Sequence, residues 1–311
     1  MAMDEKKKNH PIYKKLRKSK GVRLWSFSEC SSYNNCPHEH YLHRILKLKG
    51  KPNIYTESGS LSHGILEDHY TEQRLTREEM LKRFNDGMLK IFTDGYRFPK
   101  QTTEIGYMQN MRLYYQSFET DENIKKCEEF VSMPLWIYDK SLVNNYFQGW
   151  ADAVLERDGN ISIGDFKSST RYYGQELIEK SKQLILYAIA YEYLYKKPVK
   201  SIFFDFLKYC EVTYKNEKGQ EKTKIIERKD LFTVNNVIKI DKAYVFVELN
   251  DKIKQEVIDW FINTIHKINN DTTFEKGAKC GVNSNYCKNL CGYKDQCIHC
   301  GGWHQNQKKI S

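Results

Sequence analysis

Apolar residues change their spacing along the chain, and the change predicts the order of elements. From Arg77 to Phe92 and from Glu104 to Glu119 the pattern is that of amphipathic helices. With the segment from Ser58 they predict a mostly helical stretch over residues 58–120. Short strand-like runs follow at Phe130–Ile137, Asn145–Arg157 and Asn160–Ser168. A helix over Gln175–Tyr195 then leads to a strand over Val199–Val212, a polar turn at Asn216–Gln220 and a strand near Lys222–Glu227. An apolar stretch at Ala243–Glu248 and a helix over Lys252–Ile268 precede a cysteine-rich segment. Nearer the start, Ser26–Leu48 reads as helical, capped near Ser28 and interrupted at Pro37. Mixed strands with a helix crossing between them imply an α/β fold, a mixed central sheet bearing a helical lobe.

The chemistry concentrates around Gln148–Ser168. Asp158-Gly159-Asn160 is a strong turn signal, so the segment predicts a hairpin. Side chains alternate across a strand, which puts Asp165 and Lys167 on one face and Phe166 on the other. Asp152 falls on the neighbouring strand, within reach of an ion shared with Asp165. Two carboxylates suit Mg²⁺ or Mn²⁺. A lysine beside them can hold a phosphate and orient a water. An isolated Asp-x-Lys is usually a surface ion pair, but the next helix adds Gln183 and Tyr187, four apart and so on one face.

Gly149-x-x-Asp152, Asp165-x-Lys167 and Gln183-x-x-x-Tyr187, in that order, resemble the PD-(D/E)XK nuclease superfamily. More narrowly they resemble its RecB-like branch. Gly59-x-x-x-His63-x-x-x-Glu67 matches the histidine motif of that branch on an earlier helix. The resemblance implies a restriction-endonuclease-like sheet and hydrolysis of DNA by metal-activated water. It implies that His63, Asp152, Asp165 and the Phe166 carbonyl hold Mg²⁺ or Mn²⁺. Lys167, Gln183 and Tyr187 would complete the catalytic set, and Glu67 would orient His63 or a water.

Nine cysteines without a secretory signal argue against disulfides and for metal binding. In the iron-staple arrangement of RecB-like nucleases one cysteine precedes the core and three follow it. That resemblance assigns Cys36, Cys287, Cys291 and Cys297 to a [4Fe–4S] cluster, tying an N-terminal helix to the C-terminal cysteines. Cys280 or Cys300 could replace Cys287, whose spacing departs from the usual pattern, and Zn²⁺ is the alternative metal.

The net charge of +10 is uneven: residues 1–24 carry nine Lys or Arg against Asp4 and Glu5. We read residues 1–24 as a basic, flexible tail drawn to the DNA backbone. Residues 25–311 read as one nuclease domain, with a helical lobe about 58–120, a catalytic core about 129–250 and a metal-cluster segment at 280–300. No apolar stretch approaches the length of a membrane span, so a cytoplasmic, reducing location is expected. Among 22 tyrosines, Tyr172 and Tyr173 are candidates for stacking on DNA bases. No phosphate loop of a helicase is present. The expected function is therefore an exonuclease acting on single-stranded DNA or DNA ends. Stand-alone relatives of the exonuclease V, AddB and CRISPR-adaptation kinds set the expectation of a helicase, recombination or CRISPR-adaptation partner. The alternative is a catalytically silent DNA-binding subunit with a structural metal cluster.

Overall fold

Helix α1 (Pro11–Lys18) and strand β1 (Arg23–Trp25) lie within the basic start, which was expected to be a flexible tail. The structure, a computed structural model, describes residues 10–278, 280–281 and 284–300. Helices α2 (Phe27–Asn35) and α3 (Pro37–His40) follow, and Pro37 marks the break between them. The cap of α2 is Ser26 rather than Ser28; its hydroxyl accepts the Glu29 N–H.

Three helices make the lobe: α4 (Ile54–Asp68), α5 (Arg77–Thr93) and α6 (Gln101–Gln116). A capping box between Thr76 and Glu79 starts α5. Met80, Phe84, Met88 and Ile91 form its buried face. Each such side chain contributes on the order of 1.5–3 kcal/mol.

Strands β2 (Ile124–Pro134), β3 (Asn145–Arg157), β4 (Asn160–Lys167), β5 (Val199–Lys215), β6 (Glu221–Glu227) and β7 (Val237–Glu248) complete a seven-stranded mixed sheet. Its order is β1-β3-β4-β5-β6, with β2 on β3 and β7 on β5. β3 and β4 are antiparallel through the predicted turn, where Asp158 and Gly159 both take positive φ. β4 and β5 are parallel and so need a crossover, which α7 (Gly174–Tyr195) supplies. Helix α8 (Asp251–Asn270) and the short α9 (Asn285–Asn289) come last.

The chain divides into two compact units. Among the described residues the first comprises 10–14, 54–132 and 149–254 and holds the lobe, most of the sheet and α7. The second comprises the described residues of 15–53, 133–148 and 255–300. The first unit is built around a core in which Phe166 and Phe203 from the sheet meet Leu66, Phe84 and Tyr115 from the lobe.

Candidate functional site

The antiparallel pairing of β3 and β4 ends at Ala153 and Gly164, and there the site begins. Asp152 turns its carboxylate to the next strand, where Oδ2 accepts the Phe166 N–H at 3.2 Å. The same oxygen lies 2.9 Å from His63 Nδ1, carried on α4. Asp165 and Lys167 share one face of β4 and are in ion-pair contact. Phe166, pointing the other way, is locked in the core. Burying this strand's middle residue fixes the two charged neighbours without a flexible loop.

Gln183 and Tyr187 are one turn apart on α7, and the Gln183 amide donates to the Tyr187 hydroxyl at 2.9 Å. The Tyr187 ring sits where a side chain at residue 149 would be: a Cβ on Gly149 would lie 2.2 Å from it. The glycine that opens Gly-x-x-Asp152 is thus required by a close approach.

Burial and charge set the electrostatics. Burial alone would lower the His63 pKa, but the Asp152 carboxylate more than reverses this and raises it to about 9. Burial pushes Asp165 up to about 7, with the Asp152 charge adding to the rise against the pull of Lys167. Asp152 is held below the usual range because His63 and Lys167 outweigh its burial. Burial also raises the Tyr187 hydroxyl. Two carboxylates that oppose each other's ionisation form a site that gains from a further positive charge.

The donor set fits a hard divalent ion. One ligand atom each from His63, Asp152 and Asp165 can be chosen so that all lie within 4.8 Å of one another. Both Asp165 oxygens are buried and receive no well-oriented hydrogen bond, although Lys167 is in contact. Two carboxylates and one imidazole suit Mg²⁺ or Mn²⁺.

Some nearby residues were not anticipated by sequence. Tyr70 stacks on Phe166 with ring centroids 6.1 Å apart and planes 8° from parallel. Asp205 on β5 is fully buried, and neither of its oxygens is hydrogen-bonded. Its signal was an acid within the apolar run Phe203-Phe204-Asp205-Phe206. Glu67 is buried on α4. Tyr172 is not an exposed stacking residue: it is buried, with its ring edge-on to Phe204 and Phe206. Tyr173 is exposed and carries the Arg171 guanidinium 4.8 Å from its ring centroid.

The second unit holds seven of the nine cysteines, Cys127 and Cys210 lying in the first. Gly277 donates its N–H to Cys36 Sγ at 3.5 Å, and Gly281 donates to Cys287 Sγ at 3.4 Å. Cys280 contacts both Cys36 and Cys287, while Cys300 contacts Cys287 and Cys297. Cys291 stands close enough to feel the Cys287 and Cys297 charges. Two buried thiols accepting backbone N–H groups, with four more beside them, fit a thiolate-ligated cluster or metal. The N-terminal segment is tied to this region by His38 N–H to Glu275 O at 3.1 Å and Lys51 N–H to Gly292 O at 2.8 Å. Gly277 and Gly292 are needed there, since a Cβ on either would meet backbone at 1.9 Å and 2.8 Å.

None of the described helices is long and apolar enough to cross a membrane. No curated protein matches the chain. Among solved structures, one described as "Putative exonuclease" from Eubacterium rectale is similar at 11% identity, covering 85% of this chain and 86% of its own, with a TM-score of 0.44. SSO0001 is similar at 13% identity, covering 77% of this chain and 95% of its own, with a TM-score of 0.26. A family model described as the PD-(D/E)XK nuclease superfamily matches residues 24–298. The mixed sheet with flanking helices is consistent with the restriction-endonuclease-like fold of that group. A match over so much of the chain makes this protein a member of the PD-(D/E)XK nuclease superfamily.

Proposed function

We propose that the protein is a metal-dependent deoxyribonuclease, an exonuclease that hydrolyses phosphodiesters of single-stranded DNA or DNA ends. The observation that carries this reading is the meeting of His63, Asp152 and Asp165 beside Lys167. A divalent ion, Mg²⁺ or Mn²⁺, held by these three and the Phe166 carbonyl would supply an activated water and neutralise charge on the phosphate.

The chain's own residues do the rest. Lys167 offers its ammonium to a non-bridging phosphate oxygen, where charge grows in the transition state. Asp165 holds that ammonium in place. Asp152, fixed by the Phe166 N–H and His63, stays ionised. Gln183 spends one N–H on Tyr187 and keeps its carbonyl oxygen for a water or the DNA backbone. Tyr187, wedged over Gly149, positions the entry of β3 and with it Asp152.

In the second unit, Cys36, Cys287, Cys291 and Cys297 would hold a [4Fe–4S] cluster whose role is to brace the chain. Cys280 and Cys300 stand against the same sulfurs and could replace one of them, and Zn²⁺ would suit the same thiolates.

The test uses anaerobically purified wild type beside Lys167→Ala, on end-labelled single-stranded and duplex DNA with Mn²⁺ or EDTA. Metal-dependent products from wild type alone support the reading, and the ladder from each labelled end gives polarity. DNA binding without products from either protein would leave the DNA-binding subunit in its place.

A further inference from the structure

A cavity of about 740 Å³ opens in the first unit against β7 and the end of α6, and the catalytic side chains are absent from its lining. Its volume falls among those of small-ligand sites, roughly 300–1,000 Å³. Lys242, Tyr244 and Phe246 line it from alternate positions of β7, and so from one face of the strand. Phe118, Tyr114 and Arg228 line it as well.

Several of the charges around the cavity already neutralise one another. Arg157 lies 3.4 Å from Asp121 and Lys239 lies 2.9 Å from Asp241. Glu119 lies 3.6 Å from Arg77, leaving Glu211 as the further acid of the lining. Lys242 and Arg228 differ. Among the described residues neither has a carboxylate oxygen within ion-pair distance. Lys242 donates to the Tyr70 hydroxyl at 3.3 Å, and Arg228 donates to Leu207 O and Ser117 Oγ. Behind them the buried Asp205 carboxylate has no hydrogen bond, and burial pushes its pKa up, toward the neutral form. The two cations face the cavity without a direct carboxylate partner among the described residues, and Lys242 keeps its charge against the pull of burial through the nearby Asp205 and Asp121.

Aromatic faces complete the pattern. Lys242 lies 5.0 Å from the centre of the Phe118 ring and Arg228 lies 5.1 Å from that of Tyr114, so these two rings are engaged by cations. Lys242 also lies 5.9 Å from the centre of the Tyr244 ring, so Phe246, 43% exposed beside Tyr244, is the ring left to a ligand. Among the described residues no three metal-ligating side chains converge at this cavity. A ligand for this cavity needs a flat aromatic part and an anionic part.

We propose that the cavity binds one nucleotide, its base against Phe246 and its phosphate on Lys242 and Arg228. The choice of a nucleotide over other aromatic phosphates rests on the nuclease reading. The site also has a physical link to the cleavage centre. Lys242 touches Tyr70, and Tyr70 stacks on Phe166, between Asp165 and Lys167.

The nucleotide can be free or part of a strand, and the same chemistry serves both. The experiment titrates full-length protein, in EDTA so that nothing is cleaved, with dAMP, deoxyadenosine and a single-stranded oligo-dA 12-mer. Wild type is compared with Phe246→Ala and Lys242→Met. We expect Phe246→Ala to weaken dAMP binding about tenfold, as loss of one base–aromatic stack does. Lys242→Met should weaken dAMP but not deoxyadenosine. If the 12-mer weakens alongside dAMP, the site takes a nucleotide of the strand; if dAMP alone weakens, it takes free nucleotide. Failure of wild type to bind dAMP, or binding unchanged in both variants, overturns the proposal. Should Lys242→Met not fold, the exposed position of Phe246 keeps the test decisive. Because no cleavage is read, a negative result leaves the proposed nuclease standing, and an inactive wild type leaves this site standing.

Discussion

Asp152, Asp165 and Lys167 come from one hairpin, whereas Cys36 and Cys287 come from distant parts of the chain, and the two units hold them differently. In the first unit the proposed catalytic face of β4 is set by the burial of Phe166 between Asp165 and Lys167, in a core shared with Phe203 and the lobe. In the second, the cysteines rest on a small cluster of Leu42, Tyr293 and Cys297 and on backbone hydrogen bonds such as Lys51 N–H to Gly292 O. A site that leans on a large core is pre-organised for its ligand. A site that closes a long loop around a small core draws its stability from what it binds. The difference is one of dependence: metal should matter to chemistry in the first unit and to folding in the second.

The largest effect should come from breaking the first of these. Asp165→Asn keeps the shape of the side chain and removes its charge. Cleavage of single-stranded DNA should fall by at least about 10²–10³-fold, the scale of losing a charge-stabilising group. DNA affinity and the thermal midpoint should stay close to wild type, because Phe166 and its neighbours still hold the strand. A matching loss of midpoint would show that Asp165 is structural.

Next in size, Cys36→Ser should act in the opposite sense. Iron or zinc content per chain should drop and calorimetry should show a lower or broadened transition, since Cys36 Sγ accepts the Gly277 N–H at the tie between the two chain segments. Full metal content and an unchanged transition would sink the idea that this thiol is a ligand. Chelation with EDTA sharpens the comparison: it should stop cleavage without moving the first unit's transition.

A smaller effect separates packing from chemistry within the first unit. Gly149→Ala pushes a methyl group into the Tyr187 ring, which must move, at a cost of about 1–3 kcal/mol. Tyr187→Ala should make that substitution nearly harmless. A double-mutant cycle in urea unfolding reads the coupling; additive costs would mean that the ring can move aside freely.

Much of the first unit was legible because its signals are local. An Asp-Gly turn sets a hairpin, alternation pairs Asp165 with Lys167, and a spacing of four joins Gln183 to Tyr187. What escaped notice depends on contacts distant in sequence. Tyr172 reads like Tyr173, and only the aromatic residues of β5 bury one and leave the other exposed. The start of β7 was missed although Ile238 and Ile240 alternate with Lys239 and Asp241; in the fold these apolar side chains are exposed rather than buried. β2 likewise begins earlier than Phe130, its first turns of sequence being Lys125, Lys126 and other half-exposed positions. The resemblance assigned four cysteines and named Cys280 and Cys300 as substitutes for Cys287; in the structure both lie against Cys287, so a linear pattern could not choose among them.

The least of these effects tests how the second unit is held without metal. Asp271, just past α8, accepts the Tyr33 hydroxyl at 2.7 Å and the N–H groups of Thr273 and Phe274 at 2.9 Å. Burial opposes its charge, but those donors outweigh it and lower its pKa from 3.8 to about 2. A carboxyl lowered by folding stabilises the fold above its unfolded value, and the benefit is lost as pH falls through the folded one. Wild type should therefore exceed Asp271→Asn in stability at neutral pH, and the gap should close between about pH 4 and pH 2. Tyr33→Phe should cost about 1 kcal/mol, as the loss of one hydrogen bond does. A gap that persisted at low pH would place the contribution of Asp271 in the shape of its side chain rather than in its charge. The loop after α8 would then owe nothing to ionisation, leaving the metal and the backbone ties to hold the cysteines in register.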